Sequence, residues 1–299
     1  MHNQPSTEER VWAVLSHLSA IAFGMGILLP IIGWSEQRRK SRYASFQCLQ
    51  ALGYQSLGYT IWILAALVIF VALIFITLAE LGAASSSGED ITSLLAPTMI
   101  LHFVVMMGLI GLYVLLPFIA AIACALGKDF RYPIMGNRLA RYLGFDSEGE
   151  AWLNENHEDR WVAAMGHFGV IIIIWGMLIP LTAWILQGGR GLFLKFQSIQ
   201  TLVYQAGVTL LFFSSGFVYL FGFVAFAVMF ALNGAGDINF MGILGLVVLG
   251  LSLALAFAII LIVPLFHILG QWAGYRVLKG DDYHYPVVGR LVARRVMNE

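Results

Sequence analysis

Ten residues, Phe46-Gln47-Cys48-Leu49-Gln50-Ala51-Leu52-Gly53-Tyr54-Gln55, return as Phe196-Gln197-Ser198-Ile199-Gln200-Thr201-Leu202-Val203-Tyr204-Gln205, a shared frame displaced by 150 positions. A match this long and ungapped makes the chain a tandem duplication, one unit written twice. At about 100° per helical residue, Gln47, Gln50 and Tyr54 share one stripe, and Gln197, Gln200 and Tyr204 share its copy. The frame extends outwards. Arg10, His17, Gly26, Pro30 and Trp34 pair with Arg160, His167, Gly176, Pro180 and Trp184, and Leu116-Pro117 resembles Val263-Pro264. The run Asp129-Phe130-Arg131-Tyr132-Pro133 resembles Asp282-Tyr283-His284-Tyr285-Pro286. Residues 1–145 form the first membrane repeat, 146–160 an acidic linker and 161–299 the second repeat.

Each unit must fold in lipid. Hydrophobic residues make up 60% of the chain and charged residues 11%, against about 25% charged in a soluble domain. Each copy holds three apolar segments. They run over about 11–34, 45–81 and 98–126, then 161–186, 196–233 and 243–277. A segment of about 20 apolar residues crosses a bilayer. The expected fold is an all-α integral membrane protein, two tandem three-segment helical repeats forming one helix bundle. The stretch 82–97 reads as a Ser-, Gly- and acid-bearing loop, and 234–242 as a small loop. Cys48 and Cys124 lie in apolar segments and read as buried, inert thiols. The polar start of the chain lacks the basic region of a cleavable signal.

Basic residues gather in the first loop of each copy and after its third segment. The positive-inside rule puts those regions on the cytoplasmic side. Three crossings per copy then conflict: copy one would end inside, where copy two would have to begin outside, across a linker too polar to cross. Either the copies are inverted, as in many transporters, or each first segment does not fully cross. Gly26/Pro30 and Gly176/Pro180 could break those segments into re-entrant hairpins, which membranes tolerate only when buried in protein. The equal charge bias of the copies leans towards parallel repeats.

The residues that could carry chemistry are few. His17 and His167 could relay protons or ligate a metal or haem. More simply, each is a neutral imidazole bonded to a glutamine or a carbonyl of the neighbouring helix. Gln47, Gln50, Tyr54, Gln197, Gln200 and Tyr204 could line a polar path or bond across helices. The Asp-aromatic-basic-Tyr-Pro runs read as interfacial anchors, with Arg131, Arg138, Arg290 and Arg294 on lipid headgroups. No apolar segment carries an acidic pair, an H-E-x-x-H or a cysteine cluster, so no catalytic, cofactor-binding or metal-binding residue is assigned. The expectation is no enzyme and no cofactor.

Glu9-Arg10-Val11-Trp12 leading to Ser16-His17-Leu18-Ser19, with Pro30, Phe46-Gln47 and Phe130-Arg131-Tyr132-Pro133, resembles the bacterial MamF/MmsF magnetosome membrane domain. That family was formerly filed as a domain of unknown function and as Tic-twenty-like. Copy two departs from it in Gly166-His167-Phe168-Gly169 and in a less basic first loop. The resemblance implies a compact three-segment membrane domain, present twice, and brings no catalytic residue. The expected role is a scaffold or assembly factor of the bacterial inner membrane, with basic loops and C-terminus cytoplasmic. The alternative is a small transporter or channel with a polar site at the repeat interface. Expected partners are anionic headgroups and itself or other membrane proteins, with no nucleic acid.

Overall fold

The computed structural model describes residues 4–87, 91–147, 149, 151–233 and 239–296. Every regular element among them is helical, and the chain divides into two compact units, Met1–Met165 and Gly166–Glu299.

In the first unit, α1 (Thr7–Leu18) opens on a capping box. Ser6 accepts from the Glu9 backbone, and the Glu9 side chain accepts from the Ser6 amide, which satisfies two otherwise orphaned donors. A 3₁₀ stretch, Ser19–Ile27, leads into α2 (Leu28–Gln37) through Phe23, whose φ of 49° and ψ of −130° are not helical. There the chain turns back on itself. A Cβ on Gly26 would sit 1.9 Å from the Ser19 carbonyl oxygen, so only glycine allows the approach. A Cβ on Gly33 would sit 3.0 Å from the Trp12 ring and 3.3 Å from Ser16 Oγ. At the ends of the two arms, Gln37 Nε2 donates to Glu8 Oε1 at 3.0 Å. The first segment is therefore a helical hairpin that enters and leaves on one side.

Among the described residues, six helical stretches are long and apolar enough by length and composition to cross a membrane, Thr7–Gln37 among them. The contact between Glu8 and Gln37 rules that stretch out as a crossing. The second repeat is built alike. α7 (Glu155–Phe168) leads through the 3₁₀ stretch Gly169–Met177, with Ile173 at φ 52°, into α8 (Leu178–Gln187). Within the second unit, a Cβ on Gly176 would lie 1.8 Å from the Gly169 oxygen, and one on Gly166 would lie 3.7 Å from Pro180. In both copies the first segment breaks at a non-helical residue, Phe23 or Ile173, instead of running as one straight helix.

The remaining long helices are α3 (Arg42–Gly53) continued by a π turn (Tyr54–Gly58) into α4 (Tyr59–Ser87), α5 (Ile91–Ala125), α9 (Leu192–Asn233) and α10 (Phe240–Leu278). The 35 residues of α5 span about 52 Å, more than the roughly 30 Å of hydrocarbon. The expected loop over 82–97 is instead helix as far as Ser87 and again from Ile91. Its Ser and Gly content is overridden by the continuation of α4 and α5. Most of the expected loop at 234–242 lies outside the described residues, and Asn239 caps α10 through the Met241 and Gly242 amides. Short amphipathic helices close each repeat: α6 (Met135–Leu143) buries Gly136, Leu139, Ala140 and Leu143, and α11 (Val288–Val296) buries Gly289, Val292 and Val296.

Candidate functional site

In each unit the stripe on the second segment meets the hairpin and the closing aromatic run in one buried network. His17 Nε2 lies 3.1 Å from Gln47 Oε1, and its Nδ1 lies 3.0 Å from the Tyr132 hydroxyl. Gln47 turns its amide nitrogen to Asp129 Oδ1 (3.0 Å) and to the Phe130 carbonyl (3.1 Å). Its oxygen is thus left to accept, so His17 carries the proton on Nε2 and takes the tyrosine hydroxyl on Nδ1. Gln50 donates to Gln47 Oε1 (3.2 Å) and the Phe130 carbonyl (2.9 Å), and accepts the Tyr132 amide (2.7 Å). Tyr54 stacks on Tyr132 at 4.4 Å and donates to the Tyr113 carbonyl at 2.7 Å.

The second unit repeats the core of this network. His167 meets Gln197 and Tyr285 at 3.0 Å each. Gln200 Nε2 donates to Gln197 Oε1 (2.6 Å) and the Tyr283 carbonyl (2.7 Å), and Gln200 Oε1 accepts the Tyr285 amide (3.3 Å). Tyr204 stacks on Tyr285 at 3.8 Å and donates to the Phe266 carbonyl at 2.7 Å. Gly136 and Gly289 allow the closing run to approach the glutamine: a Cβ there would lie 2.6 Å from Gln50 Oε1 and 3.1 Å from Gln200 Oε1.

All eight residues singled out on the stripes and hairpins, His17, Gln47, Gln50, Tyr54, His167, Gln197, Gln200 and Tyr204, are buried in these networks. Tyr132 and Tyr285 overturn an expectation. Read as headgroup anchors, they are instead buried and bonded to the histidines. Burial pushes both phenols well above their ordinary range. Their signal was in the sequence, since each stands at the same place in both copies. The basic residues lie at the rim. Arg131 binds Asp129 at 2.9 Å and Asn137 at 3.1 Å, and Arg138, Arg290 and Arg294 are exposed. The Asp129 carboxyl is raised by burial, against the opposing pull of Arg131 and the Gln47 amide.

A second polar cluster was missed by composition. Glu158, in the acidic stretch read as linker, sits in the first turns of α7 and is buried. Its Oε1 accepts from Trp34 Nε1 (3.1 Å) and Ser45 Oγ (2.9 Å), and Arg38 spans Glu158 (3.7 Å) and Asp159 (3.0 Å). Beyond it, Trp161 Nε1 donates to the Leu49 carbonyl at 2.9 Å, and Ser56 Oγ meets Met165 Sδ at 2.9 Å. The signal here was Glu8-Glu9-Arg10 returning as Glu158-Asp159-Arg160. Among the described residues, no group of three or more His, Cys, Asp or Glu is placed to hold a metal ion.

Fold and site define the class: an all-α integral membrane protein made of a duplicated unit, each with a hairpin locked by a His–Gln–Gln–Tyr network. The chain belongs to the magnetosome magnetite crystal formation protein family, MamF/MmsF, whose model matches residues 8–139 and again residues 158–292. No curated protein and no solved structure matches the chain.

Proposed function

We propose that this protein is a non-enzymatic scaffold or assembly factor of the bacterial inner membrane, with its basic ends on the cytoplasmic side. The observation that carries this is the closure of the two networks. Both histidines and all four stripe glutamines bond to protein groups within their own unit. Polar groups inside a membrane mark function when they face a path or a ligand. Here they hold the hairpin to the second segment and the closing run. What each unit offers outward is apolar helix and a basic rim. Because the hairpins return to their starting side, each repeat makes two crossings, and the positive-inside rule is met without inversion. The family takes its name from magnetite crystal formation. For this chain we take from it a role in organising a membrane and its proteins.

Reconstitution tests the proposal. Liposomes holding the protein should pass protons and small solutes no faster than empty ones. Arg138→Cys and Arg294→Cys should react with an impermeant thiol reagent only from the cytoplasmic face. A flux abolished by His17→Gln or His167→Gln, with thermal stability unchanged, would replace the scaffold with the transporter. Labelling from the outer face would reverse the orientation.

A further inference from the structure

The two ends of each repeat differ in thickness. In the first unit the hairpin packs on α3 and on the closing end of α5. At its base Arg10 Nη1 lies 3.5 Å from the Ala125 carbonyl, and at its tip Phe23 stacks on Tyr113 of α5 at 6.0 Å. Every residue of α3 from Ala44 to Gly53 is buried. Beyond the tip, residues 91–112 of α5 run against α4, with Thr98 on Glu80 at 2.8 Å and His102 on the Phe70 ring at 6.4 Å. There Leu64, Val68, Phe75 and Leu78 of α4 are between 52% and 68% exposed. This two-helix stretch of α5 is about 33 Å long, already the roughly 30 Å of the hydrocarbon. By length, then, the hairpin layer stands at one membrane surface, and its exposed tip residues Ile21, Phe23 and Met25 meet the acyl chains of that leaflet. The second unit has the same asymmetry. Phe168 and Val170 lie 2.8 and 2.6 Å from Cβ atoms built on Gly274 and Gly270, near the end of α10 at Leu278. Its tip exposes Ile174 and Trp175, while Leu210, Phe217, Phe221 and Leu232 further along α9 are between 69% and 72% exposed.

We propose that each repeat is a wedge, and that the protein binds and stabilises membrane curved with the hairpin leaflet on its convex side. A hairpin adds the cross-section of two helices, each about 10 Å across, to one leaflet and nothing to the other. Lipid in that leaflet has to move aside, and bending outward gives it the extra area. Apolar groups seated at the boundary of headgroups and acyl chains are sensitive to curvature for the same reason, since a convex leaflet opens gaps that they fill. Charge holds the wedge at this depth. Arg39, Lys40 and Arg190 are exposed at the hairpin bases, so the bases stay with the headgroups while the tips enter. The two wedges add because α4 and α5 make two crossings, which return the chain to its starting side before the second hairpin. In this the inference rests on the proposed function, which puts both basic ends on one side, and it adds the kind of membrane that the scaffold organises.

Tethers pulled from giant vesicles test it with the full chain. Thr7→Cys reports the first hairpin and Gly189→Cys the second, because the native Cys48 and Cys124 are buried. An impermeant fluorescent maleimide, applied outside or trapped inside, marks the two orientations separately. Molecules labelled from outside hold their hairpins in the convex leaflet of the tether and should concentrate there several-fold, more so as the tether narrows. Molecules labelled from inside should be depleted. Ile21→Asn with Met25→Asn should weaken the enrichment several-fold while the thermal transition in detergent is kept. Equal density on tether and vesicle, or enrichment in both orientations, would overturn the wedge and leave the scaffold role standing. Full enrichment of the folded tip variant would overturn it too. A chain carrying both cysteines should take two labels or none from outside. One label per chain would put the hairpins on opposite faces, and the shared orientation would fail together with the curvature.

Discussion

The first repeat puts Ala51 where the second puts Thr201, whose hydroxyl lies 3.0 Å from His167 Nδ1. The first has a π turn after its stripe, whereas the second runs on as one 42-residue helix. The first ties its glutamine to Asp129 and pairs Asp129 with Arg131, whereas the second has His284 in place of that arginine. Yet the histidine, both glutamines and the closing tyrosine hold the same bonds to one another in each, and the two tyrosines stack in both. The difference teaches which part is the device. The network and the hairpin it pins come as a set, and the groups around them are free to vary. A second contrast runs through the opening helices. Glu158 is buried among Trp34, Ser45 and Arg38, while its counterpart Glu8 is exposed and accepts from Gln37.

The largest expected effect breaks this second contrast. Glu158→Ala leaves the buried Arg38 guanidinium short of a carboxylate and the Trp34 and Ser45 donors without an acceptor. Removing one partner of a buried ion pair costs on the order of 3 kcal/mol or more. Glu8→Ala should cost within about 1 kcal/mol, the value of one partly exposed hydrogen bond. Thermal unfolding in detergent compares them, and equal losses would contradict the assignment of Glu158 to a buried cluster.

Next come the histidines. His17→Leu should cost about 1 to 3 kcal/mol by orphaning the Tyr132 hydroxyl and one lone pair of Gln47. His167→Leu should cost less, because Thr201 sits within reach of the site that Tyr285 would lose. Adding Thr201→Ala to His167→Leu should bring its loss up to that of the first repeat. His17→Gln, which keeps a donor and an acceptor, should preserve the fold.

The smallest effect concerns pH. The folded state raises the Asp129 carboxyl above its ordinary value through burial, so ionising it opposes folding. Its favourable contribution is complete below the ordinary carboxylate range and is lost as pH rises through the raised value. Asp129→Asn should remove that decline. Arg131→Met, which takes away an opposing charge, should move it to higher pH. Unfolding midpoints measured across the acid range would show both.

Much of this was legible from residues. The duplication follows from one ungapped frame, and the helix-face arithmetic that puts Gln47, Gln50 and Tyr54 together needs no structure. Gly26 and Pro30 marked the neighbourhood of the reversal, although the non-helical residue is Phe23 and no local pattern announces an aromatic residue at positive φ. Tyr132 was out of reach for another reason. It meets His17 across 115 positions, and a Tyr-Pro pair beside an arginine looks locally like a headgroup anchor. Glu158 was hidden by its setting, because a run of acidic residues between two apolar blocks reads as a solvated linker unless the repeat frame is carried through it. The stretch 82–97 failed in the opposite sense: its described residues continue two long helices.

The central claim is that each first segment turns back on itself. Impermeant thiol labelling of single-cysteine variants at Thr7, Arg39, Asn156 and Gly189 tests it most directly, since each residue is exposed and each pair flanks one hairpin. In sealed vesicles of one orientation, Thr7→Cys and Arg39→Cys should label together, and Asn156→Cys and Gly189→Cys should label with them from that same side. Labelling of Thr7→Cys from one side and Arg39→Cys from the other would make the first segment a crossing and contradict the account.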